Sequence, residues 1–411
     1  MTKGKIVEGV FALNKPTGIS SAQALRDLQS HFNPSELFAP WMAMQRSAQG
    51  RESHNQRRRR RQQDVRVKIG HGGTLDPLAT GVLIAGIGKG TKVLHDFLTC
   101  TKTYETIVLF GASTDTYDRD GKILKKGPYQ HLNREIVEKA LEQYRGTFMQ
   151  LPPLYSALKM DGKPLYEYAR EGKEIPRQIQ KREVTVHELE LLEWFEGGTH
   201  KHQMPAEEAG KPERELAEKL WQVEREQDTK DDVINSAGKK RRLEETPAEL
   251  ISENPALRRK TEQLEEDGSV IAEGLEAAGG PTADNRSTET EKTSSVDAGP
   301  PAAKIRMTAT SGFYVRSLCH DLGQALGSQA LMAELIRTRQ GQFELGKNVL
   351  EYEELAKGEE TWGPQVERML DEWSGQYRPF AGSTVESNVQ ETNVEDNLAD
   401  TRDAVDEKDD K

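Results

Sequence analysis

The 411-residue chain has 35% hydrophobic and 6% aromatic residues, against 30% charged residues and a net charge of −11. This composition excludes a chain that is folded from end to end. Two cysteines are too few for a disulfide framework or a four-thiolate metal site, and no apolar run is long enough to span a bilayer. The N-terminal sequence MTKGKIVEGVFALNKP has no signal-peptide pattern, so we expect no leader and a reducing compartment with both thiols buried.

The negative charge is unevenly distributed. Residues 196–303 carry 25 acidic and 15 basic side chains, and residues 381–411 carry 10 acidic and 3 basic ones. The remainder has a net charge of +6, so the part expected to fold is basic. A basic folded part suits a polyanionic partner such as nucleic acid.

The first elements are a strand at 7–13, a turn at 14–18, and a helix that Ser20 or Ser21 would cap. Residues 31–64 lose the apolar periodicity and end in the basic run RRRRRQQ. We interpret this segment as a mobile basic insert, with three alternatives: an arm that contacts an RNA backbone, a nuclear-import signal, or a solvated spacer.

A glycine-rich segment at 70–94 contains one histidine, His71, and an acidic residue directly before a proline, Asp76. Asp-Pro is a common helix start, so the simple interpretation predicts a helix that begins at Pro77, with Asp76 as its N-cap. The alternative is a catalytic carboxylate. His71 is either a functional residue or a loop histidine that makes one backbone hydrogen bond.

The stretch GIGKGTK within this segment does not form a phosphate-binding loop. Leu83 stands where the first glycine of that motif is needed, and Gly90 where serine or threonine is needed. Lys89 and Lys92 are better interpreted as contacts to backbone phosphates.

Together with these segments, the pattern of the remaining residues predicts one α/β domain assembled from 1–195 and 304–375. Its elements are a strand at 104–111, a helix at 134–144, a short helix at 163–172, a strand at 182–194, a strand and then a helix within 304–326, and a capped helix with a turn at 328–343. Residues 196–303 lack apolar patterning and are interpreted as a disordered insertion between neighbouring strands, with GKKRR as a nuclear-localisation cluster. The acidic segment 381–411 is also expected to be disordered.

Several polar residues stand in apolar surroundings. A buried carboxylate needs a partner, and the guanidinium fork of Arg316 would suit Asp76. Arg316 could equally pair with Asp321 one turn further on. Tyr104 could offer a flat face for a base or be a half-exposed strand aromatic. No His/Cys spacing indicates a metal.

Five blocks of the sequence resemble the TruB-like pseudouridine synthases, in family order. They are GVFALNKPTGISS at 9–21, KIGHGGTLDPLATGVLIAGIGKGTK at 68–92, KTYETIVLFGASTDTYDRDG at 102–121, LPPLYSALKMDGKPLYEYAREG at 151–172 and SGFYVRSLCHDLG at 311–323. The histidine block reads His-Gly-Gly-Thr where bacterial members usually have His-Thr-Gly-Ala, which resembles the fungal version. The long inserts also resemble those of a eukaryotic stand-alone enzyme.

The resemblance implies the activity and the site. The family isomerises the uridine at position 55 in the T loop of tRNA, by base flipping, without a cofactor or a metal. By this resemblance Asp76 is the catalytic aspartate, acting as a nucleophile or a base. Arg316 pairs with and orients Asp76, and Tyr104 stacks on the flipped uracil.

The resemblance also implies the RNA contacts. His71 helps to hold the rearranged T loop, and Lys15, Lys92 and Lys159 neutralise phosphates. Tyr314, in the block of the orienting arginine, is a further expected RNA contact.

The implied fold is that of the pseudouridine synthases, an α/β (α+β) fold with a mixed, mainly antiparallel sheet flanked by helices. We expect no C-terminal RNA-binding PUA domain, because only about 35 residues of possible order follow Gly346, well below the usual size of a domain. The expected partner is the tRNA T arm, with mRNA as a second substrate, for a monomer in the nucleus or also in mitochondria. The rivals are a guide-dependent rRNA pseudouridine synthase of the dyskerin type and a non-catalytic tRNA chaperone.

Overall fold

The structure is a computed structural model. It describes residues 4–51, 64–173, 175–211, 213–215, 217–218, 221 and 299–376. None of the helices in these ranges is long and apolar enough to cross a membrane.

A ten-stranded sheet forms the centre of the molecule, and two small hairpins lie beside it. The strands are β1 Gly9–Lys15, β2 Ile69–His71, β3 Thr80–Ile87, β4 Lys102–Phe110, β5 Ala112–Thr114, β6 Ile123–Lys126, β7 Gly146–Gln150, β8 Lys159–Met160, β9 Lys163–Pro164, β10 Arg182–Phe195, β11 Ala302–Ala309, β12 Ala330–Gln340, β13 Phe343–Glu344 and β14 Leu350–Glu351. The sheet order is β14-β1-β3-β12-β4-β11-β10-β7, with β2 on β3 and β13 on β12, whereas β5–β6 and β8–β9 are the hairpins.

The sheet is mixed and mainly antiparallel, which confirms the predicted fold class. Only the β1–β14 and β3–β12 pairs among the described strands are parallel. Strands β10 and β11 pair antiparallel from Phe195↔Ala302 onward, so the long insertion does connect neighbouring strands, as predicted.

The helices cover the sheet. They are α1 Ser21–Phe32, α2 Ala39–Gly50, α3 Leu94–Thr99, α4 Arg134–Leu141, α5 Leu165–Arg170, α6 Val315–Ala325 and α7 Glu359–Gln376. Ser20 caps α1 by accepting a hydrogen bond from the Gln23 amide, as the serine pair predicts. The buried side of α1 carries Ala24, Leu25 and Leu28, which join the main core.

The segment 31–64 is partly helical, so its interpretation as a mobile insert is wrong for α2. Trp41 and Met42 on α2 are buried, and the Trp41 indole donates a hydrogen bond to Glu8 at 2.9 Å. A few large apolar residues anchor this helix without a long periodic pattern, so periodicity did not predict it. The basic run lies outside the described residues.

The predicted helix at 328–343 is wrong, because this segment forms strand β12. This strand lies between β3 and β4, and its two faces belong to different core clusters: Met332 and Leu335 pack in one, Leu331 and Ala333 in another. A strand that is buried on both faces has a nearly continuous apolar run, which periodicity alone cannot distinguish from a buried helix.

The interpretation of 196–303 as wholly disordered is also wrong at its N-terminal end. The Ile123 amide donates to the Glu207 carbonyl at 2.8 Å, and the Ala209 amide donates to the Ile123 carbonyl at 2.9 Å. The first part of the insertion therefore extends the β5–β6 hairpin by main-chain hydrogen bonds. Residues 222–298, with GKKRR, and segment 381–411 lie outside the described residues.

Candidate active site

Asp76 lies in an irregular loop between β2 and β3, and no helix follows it. The Ala79 amide donates to the Asp76 carbonyl at 3.1 Å, which closes a tight turn instead of a helical start. The helix-cap interpretation of Asp76 is therefore wrong. Its carboxylate is free to act on something other than its own backbone.

Buried side chains fix the backbone of this loop, which we call the Asp76 loop (72–79). The Ser21 hydroxyl accepts from the Leu75 amide at 2.8 Å and donates to the Leu75 carbonyl at 3.0 Å. Arg337, which is 2% exposed, donates to the Gly73 carbonyl at 3.2 Å, and Gln340 donates to the Gly72 carbonyl at 2.6 Å. Gly73 has φ +124°, where a side chain would be strained. The loop is thus held from both sides.

Lys15 also helps to hold this region, and its position contradicts the predicted phosphate contact. The residue is 0% exposed, and its ammonium donates to the carbonyls of Pro16, Ile19 and Pro77 at 2.7, 2.8 and 3.2 Å. Burial lowers the pKa of Lys15 to about 8. A lysine whose three donors are used by carbonyls has none left for RNA.

Asp76 and Arg316 are in direct contact, as the fork hypothesis predicts. Arg316 Nε lies 2.8 Å from Asp76 Oδ2, and Nη2 lies 3.1 Å from Oδ1. The Arg316 side chain is only 6% exposed, whereas that of Asp76 is 34% exposed. Arg316 is therefore not the helix-surface residue that pairing with Asp321 would require. The geometry orients a carboxylate whose outer side still faces the solvent.

The end of helix α6 that carries Arg316 is tied to strand β7. The Gln150 side chain donates to the Tyr314 carbonyl at 3.0 Å and accepts from the Tyr314 amide at 2.8 Å. The Ser317 hydroxyl donates to the Leu151 carbonyl at 2.9 Å. These bonds fix the helix start, and with it the position of the guanidinium.

A second loop supplies the remaining contacts of Arg316. We call this segment, 115–121, the Asp118 loop. Its Thr116 carbonyl accepts from Arg316 Nη1 at 2.9 Å, and Asp118 Oδ2 lies 3.9 Å from Arg316 Nε. Outside this loop, the Tyr155 carbonyl accepts from Arg316 Nη2 at 2.8 Å.

Asp118 is a site residue that sequence reasoning missed. It is 7% exposed, and this burial raises the pKa of its carboxyl to about 6, although the neighbouring Arg316 opposes the shift. The available signal was the cluster of small polar residues, STDTYD, directly after a strand, which is typical of a tight turn.

Tyr104 is a buried residue of β4 and not a half-exposed strand aromatic, since it is 8% exposed. Its register partner in β12 is Arg337, which holds the Asp76 loop. Because register partners share one face of a sheet, Tyr104 lies on the face that carries Asp76.

His71 ends strand β2, next to the Asp76 loop. Burial lowers the pKa of its imidazole to about 4, so the ring is neutral near pH 7. Its Nδ1 is buried and has no hydrogen-bond partner among the described residues, which contradicts the simple loop-histidine interpretation for that nitrogen.

Two of the predicted phosphate contacts are placed where RNA could reach them. Lys92 and Lys159 are exposed, in the turn before α3 and in β8 respectively.

Tyr314 lies close to the Asp76–Arg316 pair. Burial raises the pKa of its phenol, and Asp76 and Arg316 both act on it electrostatically. Among the described residues there is no cluster of His, Cys, Asp or Glu that could hold a metal ion.

The chain matches two known family profiles. The profile described as "TruB family pseudouridylate synthase (N terminal domain)" matches residues 58–205. The profile described as "tRNA pseudouridylate synthase B C-terminal domain" matches residues 316–373, which contain Arg316. The two matches thus cover the ranges that meet at the site.

Two fungal relatives match over most of the chain, and a mammalian one matches over about half of it. A protein named tRNA pseudouridine synthase 4 from Schizosaccharomyces pombe is 38% identical over 352 residues, covering 85% of this chain and 82% of its own. A protein of the same name from Saccharomyces cerevisiae is 32% identical over 382 residues, covering 89% and 85%. Mouse pseudouridylate synthase TRUB1 is 41% identical over 188 residues, covering 46% and 51%.

Proposed function

The chain belongs to the TruB family of tRNA pseudouridine synthases, and from this premise we propose that it isomerises the uridine at position 55 in the T loop of tRNA, with Asp76 as the catalytic carboxylate. The reaction breaks the bond between uracil N1 and ribose C1′, rotates the base, and joins C5 to C1′. The C5 proton is lost and N1 gains one, so atoms balance without a cofactor.

The Asp76–Arg316 fork is the observation that carries this proposal. The two bonds of 2.8 and 3.1 Å hold the carboxylate of Asp76 in one orientation, while 34% of its side chain remains exposed. A target uridine buried in a T loop must leave its stack to reach this carboxylate. Asp76 then acts on the ribose or the base, as a nucleophile or as a base.

Two neighbouring residues complete the proposed uracil site. Tyr104 lies on the same sheet face as the Asp76 loop and would stack on the flipped base. His71, at the start of that loop, is neutral and would hold the rearranged T loop through a hydrogen bond rather than through charge.

Phosphate contacts are proposed for Lys92 and Lys159, because both are exposed. Such contacts position the RNA without reading its sequence.

Messenger RNA with a similar loop is a second proposed substrate. A monomer is the proposed form of the protein. We also propose a nuclear location, because the basic clusters RRRRR and GKKRR are typical of nuclear-localisation signals. A mitochondrial location in addition is proposed from the resemblance to fungal members alone. Imaging of the tagged full chain tests the location.

The variant Asp76→Asn tests the proposed activity. We expect it to abolish pseudouridine formation in a tRNA transcript, while binding of the tRNA changes by no more than a few-fold, because phosphate contacts supply most of the affinity. Asp371→Asn, which changes an exposed carboxylate that pairs with Lys5 on another surface, is the matched control. Near-normal turnover by Asp76→Asn would reject the catalytic assignment.

The same assay separates the rival functions. A guide-dependent enzyme would leave the bare tRNA transcript unmodified until a guide RNA is added. A non-catalytic chaperone would bind the transcript and leave its uridine unchanged, both before and after mutation of Asp76.

A further inference from the structure

The Asp118 loop contains a strained residue at its centre. Tyr117 has φ +63°, a conformation that an aromatic residue rarely adopts. Its neighbours on both sides, Thr116 and Asp118, are the two that approach Arg316. Such strain persists only where the surroundings hold the residue in place.

The main chain of Tyr117 is held by two ordinary hydrogen bonds. Its amide donates to the Thr114 carbonyl at 3.2 Å, and its carbonyl accepts from the Met332 amide at 3.0 Å. Its side chain is held by two aromatic residues from other parts of the chain, His320 and Trp221.

His320 stacks flat on the Tyr117 ring, with centroids 3.9 Å apart and an interplanar angle of 6°. It is 1% exposed, and burial lowers its pKa to about 3, so it packs as a neutral ring. His320 follows Arg316 by four residues on α6, so the two side chains share one side of that helix.

Trp221 comes from the insertion, beyond the segment that extends the β5–β6 hairpin. Its indole N–H donates to the Tyr117 hydroxyl at 3.0 Å. Its ring lies 5.5 Å from that of His320, at an interplanar angle of 21°. One residue of the insertion therefore contacts both the strained residue and the helix that presents Arg316.

We propose that Trp221 is a positioning residue for the isomerisation: it holds Tyr117 in its strained conformation and thereby keeps Thr116 and Asp118 against Arg316, which orients Asp76. This inference rests on the function proposed above. Without the indole donor, the strain at Tyr117 can relax by a shift of the Asp118 loop. The Arg316 guanidinium then loses its contacts with Thr116 and Asp118.

The test compares Trp221→Phe with Trp194→Phe in the full chain. Both remove an indole N–H and keep a ring, but the Trp194 indole donates to Glu196 in an exposed pair away from Arg316. We measure release of tritium from C5 of the target uridine in a T-arm stem-loop. For Trp221→Phe we expect kcat to fall about fivefold, as for one lost hydrogen bond, with KM and the melting temperature nearly unchanged. Trp194→Phe is expected to retain the wild-type kcat.

Tyr117→Phe provides the coupling measurement, because it removes the hydroxyl that accepts from Trp221. If the bond acts through Tyr117, the double variant Tyr117→Phe/Trp221→Phe has the kcat of either single variant. Additive losses, an unchanged kcat for Trp221→Phe, or a lower melting temperature with normal kcat would each overturn the proposal.

A readout without turnover keeps the inference separate from the proposed function. NMR titration of the Asp118 carboxyl follows the Asp118 loop directly. We expect its pKa to move from about 6 toward the ordinary value in Trp221→Phe, because a loosened loop admits water, and to stay in place in Trp194→Phe. An inactive wild-type chain would reject the proposed function, whereas an unmoved Asp118 pKa in Trp221→Phe would reject the role of Trp221.

Discussion

The two loops that meet at Arg316 are held in different ways. The Asp76 loop is bound by side chains of the central sheet and of α1, chiefly Ser21, Arg337 and Gln340, which all bond its backbone. The Asp118 loop contains a strained tyrosine whose side chain depends partly on Trp221 of the insertion. The loop that carries the carboxylate proposed for chemistry is therefore fixed by the central sheet and α1, whereas we propose that the orientation of its partner, Arg316, depends in part on the insertion.

The largest effect is expected where the two loops meet. Arg316→Lys keeps a positive charge but loses the fork that bonds Asp76, Thr116 and Tyr155 together. We expect kcat to fall by about 100-fold or more, with the fold retained, because one ammonium cannot replace these bonds. Single-turnover rates on a T-arm stem-loop measure this.

The matched control for this variant is Arg306→Lys. Arg306 donates through Nε and Nη2 to one oxygen of Glu105, Oε1, at 3.1 and 2.8 Å, on an exposed part of β11. We expect its kcat to equal that of the wild type. Equal losses in the two variants would show that arginine forks matter to the fold in general and not to the site.

The next largest effect is expected in the pH dependence of stability, through Asp118 in the Asp118 loop. Because burial raises the pKa of Asp118 to about 6 from 3.8, the folded state holds this proton more tightly than the unfolded state does. Its contribution to stability is therefore complete below about pH 4 and is lost as the pH rises through about 6.

Asp118→Asn removes this contribution. Between pH 4 and pH 7 the unfolding free energy of the wild type should fall relative to that of the variant by up to ~3 kcal/mol, about 1.4 kcal/mol for each pKa unit. Urea denaturation at several pH values measures the difference. A constant difference across this range would mean that Asp118 titrates normally and that the Asp118 loop is open to water.

Two deletions test the dependence of the Asp118 loop on the insertion. Replacing 222–298 by a flexible linker keeps Trp221 and the Glu207–Ala209 contacts, so we expect normal activity on a T-arm stem-loop. Replacing 196–298 removes both and keeps strand β11, and we expect kcat to fall by about tenfold or more, as for two lost interactions. Equal activities for the two deletions would mean that the Asp118 loop keeps its conformation without contacts from the insertion.

The smallest effect on kcat is expected from the basic run, Arg57–Arg61, which lies outside the described residues. Its removal should weaken tRNA binding and reduce the log–log salt slope by about one to three, with little change in kcat at saturating RNA. Affinities measured between low and moderate salt test this. Equal slopes for both proteins would leave nuclear import, or no function, for the run.

The sequence patterns offered the Asp76–Arg316 pair as one alternative, beside a helix cap and an Arg316–Asp321 pair, and the family resemblance selected it. Sequence reasoning also located β10, from its alternation. It failed for β12, whose two buried faces remove the period of two, and for Lys15, whose burial depends on carbonyls of two separate loops. Asp118 and Trp221 were missed because their roles arise from contacts across about 100 to 200 residues of sequence.

The position of β12 has a consequence for synthesis of the chain. Strands β3 and β4 follow each other closely in sequence, but β12 lies between them in the sheet. While the ribosome makes everything between Phe110 and Ala330, the edge of β4 that later pairs with β12 has no native partner, and unpaired edges invite aggregation. The segment made during that interval includes residues 196–303, whose net charge is −10. A nascent chain with this added negative charge repels its own copies, and we expect this repulsion to oppose aggregation while that edge is unpaired.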